Sequence, residues 1–231
     1  MNQRERDIVQ VIDCSHPLSE SVPVWPGDPP VQIQPWTKLQ DGFRMNRISM
    51  AEHSGTHIGV PAHYVSNAIT LDQLPVADLI RPAVCVHAVQ YPEFYKGFQL
   101  TADMVRDWEQ KHNRIKAESV VLVHTGWDQY WEFTCMGTGQ KPMLPGIAAD
   151  AAELFVEREI HGVGMDAPDI GAGDADFIVN RYLAEHDVFH LENLTRLNLL
   201  TDKEFTLIIG AVAVKGGTGV PCRVLAVSTL A

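Results

Sequence analysis

The sequence predicts one mixed α/β domain spanning residues 1–231, and three observations carry that prediction. Apolar runs of strand length alternate with segments of helical spacing, no long linker or internal repeat interrupts them, and 231 residues suffice for one full core. A composition of 45% hydrophobic and 20% charged residues is ordinary for a folded globular chain.

The elements follow in order. VQVIDC at 9–14 is a short apolar run of strand type, and SHPLSESVPVWPGDPP after it is rich in proline and turn residues, which makes it an ordered, irregular N-terminal arm within residues 1–30. Trp25 in that arm either walls a substrate pocket or packs on the core. RMNRISMAEH carries strand alternation into HSGTHIGVPAH at 53–63, and AVCVHAVQ at 83–90 reads as another strand. In TADMVRDWEQKH, Thr101 is placed to cap a helix whose Met104, Val105 and Trp108 share a face. SVVLVHTG at 119–126 reads as a buried strand. From Pro145, PGIAADAAELFVEREI sets Ala148, Ala152, Phe155, Val156 and Ile160 at helical spacing. HGVGMDAPDIGAG is then a strand running into a glycine-rich loop. FTLIIGAVAV and CRVLAV close the chain as strands flanking the turn KGGTGVP, whose GGTG lacks the lysine and spacing of a phosphate-binding loop.

The net charge of −11, from 18 basic and 29 acidic residues, argues against nucleic acid or an anionic membrane as partner. The opening MNQRERDIVQ is too polar for a signal peptide and no apolar run reaches 18 residues, so a cytoplasmic location is expected. Cys14, Cys85, Cys135 and Cys222 are far apart with no CxxC pair, and are expected to be reduced and structural.

His53, His57 and His63 place three imidazoles within eleven residues, a density that points to a metal-assisted site. A spacing of four can aim His53 and His57 at one ion, with Gly55 permitting a turn between them, while His63 is free to move protons or satisfies a loop. A third ligand is needed, and Glu192, Asp166, Asp169, His186 and His190 are the candidates. Asp166 follows the apolar VGM run, where it either faces a substrate or holds its loop. No GxSxG elbow or nucleophilic cysteine motif is present, which disfavours covalent catalysis. Asp128, Glu132, Glu153, Glu157 and Glu159 read as solvated charges.

These residues resemble the cyclase family that includes bacterial kynurenine formamidases and isatin hydrolase, whose hallmark HxGTHxDxPxH is matched by HSGTHIGVPAH. The resemblance continues through DCSHPLSESVPVWPGDPP, the strand and TGW at 121–127, MDAPDIG at 165–171, HLENLTRL at 190–197 and KGGTGVPCRVLA. It implies a three-layer β/β/α swivelling-type fold with a mixed sheet, a homodimer or homotetramer, and metal-dependent hydrolysis of an amide or lactone-like C–N or C–O bond in a small cyclic or aryl substrate. By position, it makes His53 and His57 metal ligands, His63 the catalytic acid/base acting beside a metal-bound water, and Glu192 a ligand or neighbouring catalytic carboxylate.

Two positions depart. The motif's aspartate is Gly59 here, and a family histidine twelve residues before the ENL glutamate is Asn180. A second metal site is therefore expected to be dismantled, leaving one divalent ion, zinc or manganese, on His53, His57 and Glu192. The space vacated at Gly59 is open to a water, a substrate carboxylate, His186 or His190, and Gly59→Asp with Asn180→His is expected to raise metal stoichiometry. The alternatives are a metal-free cyclase, isomerase or dehydratase using His63 and Glu192, and a ligand-binding protein without catalysis.

Overall fold

The computed structural model describes residues 9–90, 97–131, 143–172, 176–200 and 203–229. Glu132 and Cys135 lie outside them. In chain order the strands are β1 (Val9–Asp13), β2 (Gln32–Thr37), β3 (Met45–Ser49), β4 (His57–Gly59), β5 (Ile80–His87), β6 (Gln99–Leu100), β7 (Val120–His124), β8 (Gly146–Ile147), β9 (Gly162–Met165), β10 (Phe189–Glu192), β11 (Phe205–Gly210), β12 (Gly219–Pro221) and β13 (Arg223–Thr229). The helices are α1 (Ala102–His112), α2 (Ala149–Glu157) and α3 (Ile178–Glu185).

Nine strands form one mixed sheet in the order β1-β13-β11-β5-β7-β9-β10-β4-β12. The central strands β5, β7, β9 and β10 run parallel, and antiparallel strands flank them on both sides. All five residues of β7 are buried, as expected for a strand covered on both faces. On one face Val121 and Val123 pack with Val105 and Trp108 of α1, Phe155 of α2 and Leu183 of α3. On the other, the sheet curls so that Leu122, Phe189 and Leu191 share a second core with Ile58, Leu207, Val220 and Ala226. Helices, central strands and the curled flank make the three layers.

The predicted elements are recovered where an apolar pattern decides them. Thr101 Oγ1 accepts from the Met104 N–H and starts α1 as its spacing predicts. The helix read from Pro145 is shorter: Ile147 N donates to Ile170 O and Ala148 N to Leu100 O, which holds these residues extended until α2 begins at Ala149. The last residues of KGGTGVP are also strand rather than turn, because β12 pairs with β4 and buries Val220. Asp128 is no free charge: it accepts from Thr195 Oγ1 at 2.9 Å and Arg196 N at 3.2 Å. Cys14, Cys85 and Cys222 are unbridged.

Asp166, at the exit of β9, is 1% exposed. It accepts from Thr125 N at 2.9 Å, Thr125 Oγ1 at 2.6 Å and Gly126 N at 2.6 Å, tying the exits of β7 and β9 together. Burial pushes its carboxyl up to about 7 against the pull of these donors. Asp166→Ala would leave buried N–H groups without partners and is expected to cost at least about 2 kcal/mol in denaturant unfolding. Unchanged stability would refute the tie.

Candidate metal centre

The HSGTH turn and β4 place the first two imidazoles. Gly55 lies in the left-handed region at φ 64°, where a side chain is strained, and it lets His53 fold back toward His57. Their ring centroids are 5.0 Å apart. β10 then pairs antiparallel with β4, setting Glu192 opposite His57 and His190 opposite Gly59. Side chains alternate along a strand, so these positions share one face while Ile58 and Leu191 enter the core.

One nitrogen each of His53, His57 and His190 lies within 4.8 Å of the others, a spacing that can hold one metal ion. His57 Nδ1 is 2.9 Å from the Gly55 carbonyl, which can only accept, so the proton sits on Nδ1 and Nε2 carries a lone pair. That Nε2 is buried without a hydrogen-bond partner, 3.4 Å from Glu192 Oε2. Asn193 Nδ2 donates to the same Gly55 carbonyl at 3.1 Å and fixes the turn. On the other side, Thr218 donates to Glu52 at 2.8 Å, so its oxygen accepts from His53 Nε2 at 3.0 Å and leaves His53 Nδ1 free to ligate.

Burial holds the imidazoles neutral. Desolvation, with the neighbouring rings, lowers His53 to about 2 and His190 well below its ordinary value. His57 falls to about 4, the Gly55 carbonyl opposing the shift. Desolvation raises Glu192 well above the usual carboxylate range, and the nearby Asp169 charge adds to this. Neutral nitrogens around an anionic oxygen match the donor set of a divalent cation, and such an ion would remove the cost of ionising Glu192.

His63 lies at the exposed mouth of the cluster, stacked on His53 at 3.8 Å between centroids. Desolvation of its packed side lowers its pKa, against the charges of Glu52 and Asp28. Beside it Tyr64 meets Phe177 at 5.8 Å, and Phe177 meets Trp25 at 6.3 Å, an aromatic wall that brings Trp25 toward the histidines. Asn180 on α3 is buried and donates to Asp169 at 2.9 Å and to the Tyr64 hydroxyl at 3.1 Å.

The cluster thus unites His53, His57, His190 and Glu192, with His63 at its mouth. Asp166 is taken up by its turn, and His186 is exposed and bonded to Tyr182 O. His190 was one of several candidates in the sequence, and its i, i+2 spacing to Glu192 was the available signal. Glu52, Tyr64, Phe177, Asn193 and Thr218 carried none.

Because Glu192 is raised, metal-free protein must ionise a buried carboxyl as pH climbs from 4.5 through its folded-state value, and stability is lost over that window. Glu192→Gln is expected to unfold at a higher temperature than the parent at pH 8, both stripped of metal, with the difference shrinking toward pH 4.5. A gain independent of pH would contradict this.

A family model described as putative cyclase matches residues 12–172. The chain is 31% identical to isatin hydrolase of Roseibium aggregatum over 94% of its length and 91% of that protein's. It is 26% identical to kynurenine formamidase of Bacillus cereus over 92% of its length and 94% of that protein's. It superposes on the crystal structure of an isatin hydrolase bound to the product analogue thioisatinate with a TM-score of 0.88 at 29% identity, covering 96% of this chain and 93% of the other. Another solved neighbour, at 24% identity, is described as a potential metal-dependent hydrolase with cyclase activity and superposes with a TM-score of 0.75 over 97% of this chain and all of the other. The sheet, the histidine motif and these matches agree: the chain belongs to the cyclase family.

Proposed function

We propose that this protein is a metal-dependent hydrolase that opens an amide or lactone-like C–N or C–O bond in a small cyclic or aryl substrate. The observation that carries the reading is the convergence of three neutral imidazoles, one with a buried, unpartnered Nε2, beside the raised carboxyl of Glu192. His53, His57 and His190 would hold one divalent ion, zinc or manganese, with Glu192 against it. When bound, such an ion polarises a carbonyl and makes water more acidic.

The chain's own residues supply the rest. Hydrolysis adds a hydroxyl to the acyl carbon and a proton to the leaving nitrogen or oxygen, so one group must take a proton and return it. His63 suits that exchange, since it alone of the four clustered imidazoles reaches solvent broadly and its lowered pKa keeps it neutral and able to accept. The Tyr64 ring and its aromatic neighbours offer flat apolar surface to an aryl group. Glu192 faces His57 and His190 at 3.4 and 4.0 Å, an arrangement that suits a ligand better than a metal-free base paired with His63. The resemblance to isatin hydrolase and kynurenine formamidase supports cyclic and aryl amides as the first substrates to try.

The test is elemental analysis with a hydrolysis screen of isatin, aryl formamides and aryl lactones. About one equivalent of metal per chain is expected, lost in His53→Ala/His57→Ala. His63→Gln is expected to keep the metal and lose about 10²- to 10⁴-fold in kcat/KM. Turnover without metal would transfer the reading to acid–base chemistry on His63 and Glu192, and no turnover on any substrate would favour a binding protein.

A further inference from the structure

Gly59 sits within the extended strand β4, outside the left-handed region that only glycine adopts readily. Glycine within a strand weakens it, so the backbone gives no reason for one here. The reason is steric. A methyl carbon built on Gly59 would lie 2.1 Å from Nε2 and 2.2 Å from Cε1 of His190, far inside van der Waals contact. The imidazole fills the volume that any side chain at 59 requires.

His190 has little room to yield. It is 5% exposed and surrounded by the rings of His53, His57, His63 and Tyr64, each with its centroid between 5.9 and 6.2 Å away. The same geometry opposes the first half of the expected Gly59→Asp with Asn180→His gain in metal, because His190 holds the space the aspartate would need. An aspartate at 59 collides with His190 where that ring stands.

We propose that Gly59 is the residue that admits His190 as third metal ligand, and that the resulting three-imidazole set discriminates for Zn²⁺ against Mn²⁺ more strongly than a carboxylate at position 59 would. This rests on the metal reading above. Imidazole nitrogen suits zinc and other later first-row ions, whereas carboxylate oxygen suits manganese, so exchanging one for the other moves the ratio of affinities.

The experiment is competition titration of the full chain with Zn²⁺ and Mn²⁺ against a chelator, with the visible spectrum of the Co²⁺-loaded protein as an independent report on the ligands. His190→Ala is expected to weaken Zn²⁺ binding by about a hundredfold or more and to alter the Co²⁺ spectrum. Gly59→Ala, by displacing the ring, should do nearly the same, and the double variant should be no worse than His190→Ala alone, because both changes remove one interaction. Gly59→Asp/His190→Ala should recover binding with the Zn²⁺/Mn²⁺ affinity ratio at least about tenfold below that of the parent.

If the parent protein binds neither ion, the metal reading falls and the proposal with it. If metal is lost in His53→Ala/His57→Ala but retained at full affinity in His190→Ala, the metal reading stands and the proposal alone is overturned. Additive losses from Gly59→Ala and His190→Ala, or an unchanged ratio in Gly59→Asp/His190→Ala, overturn it as well. Should Gly59→Ala fail to fold, the two variants that also replace His190 carry the decision.

Discussion

The register of β4 against β10 is the constraint on which the rest of the site depends. Three paired positions set His57 against Glu192, Ile58 against Leu191 and Gly59 against His190. Side-chain direction alternates, so a slip of one residue would send the imidazoles into the apolar core and the aliphatic pair into the polar cluster. Ile58 and Leu191, both 0% exposed, therefore fix the chemistry from behind. The cluster does not need to be held by mutual attraction among its polar groups, since the apolar face of the same two strands determines where they stand.

The electrostatics of the cluster follow from that placement. Sheet and helices exclude water from His57, His190 and Glu192, which makes both imidazolium and carboxylate unfavourable in isolation. Three neutral nitrogens offer lone pairs beside an acid held toward protonation, and a cation would take up those lone pairs and replace the proton on Glu192. The supporting bonds point the same way: the Gly55 carbonyl sets the tautomer of His57, and the Glu52–Thr218 pair sets that of His53.

The central strands and α1 were legible in the sequence because local apolar pattern decides them, and the HSGTH histidines because their density is unusual. The role of His190 was only one option among several, because it depends on pairing across 130 residues of chain, which periodicity does not encode. The same holds for β12. Its glycine-rich sequence reads as a turn by local preference, and becomes strand only because β4 offers an unpaired edge. Asp166 was ambiguous for a different reason: a carboxylate at a strand end can face a ligand or bind a neighbouring turn, and Thr125 and Gly126 decide the matter 40 residues away.

The sheet's edge strands are β1 and β12, yet only Cys222 separates β12 from β13, the neighbour of β1. The chain thereby stitches the two margins of the curled sheet together, and Cys222 N bonds to Thr56 O within the histidine turn itself. The histidines are thus built at a seam rather than on a loose rim. Freeing the β4 backbone at His57 takes unpeeling of β12 from β4, so the amides of these paired strands should exchange with solvent on the slow timescale of the whole sheet, unlike those of an ordinary surface loop.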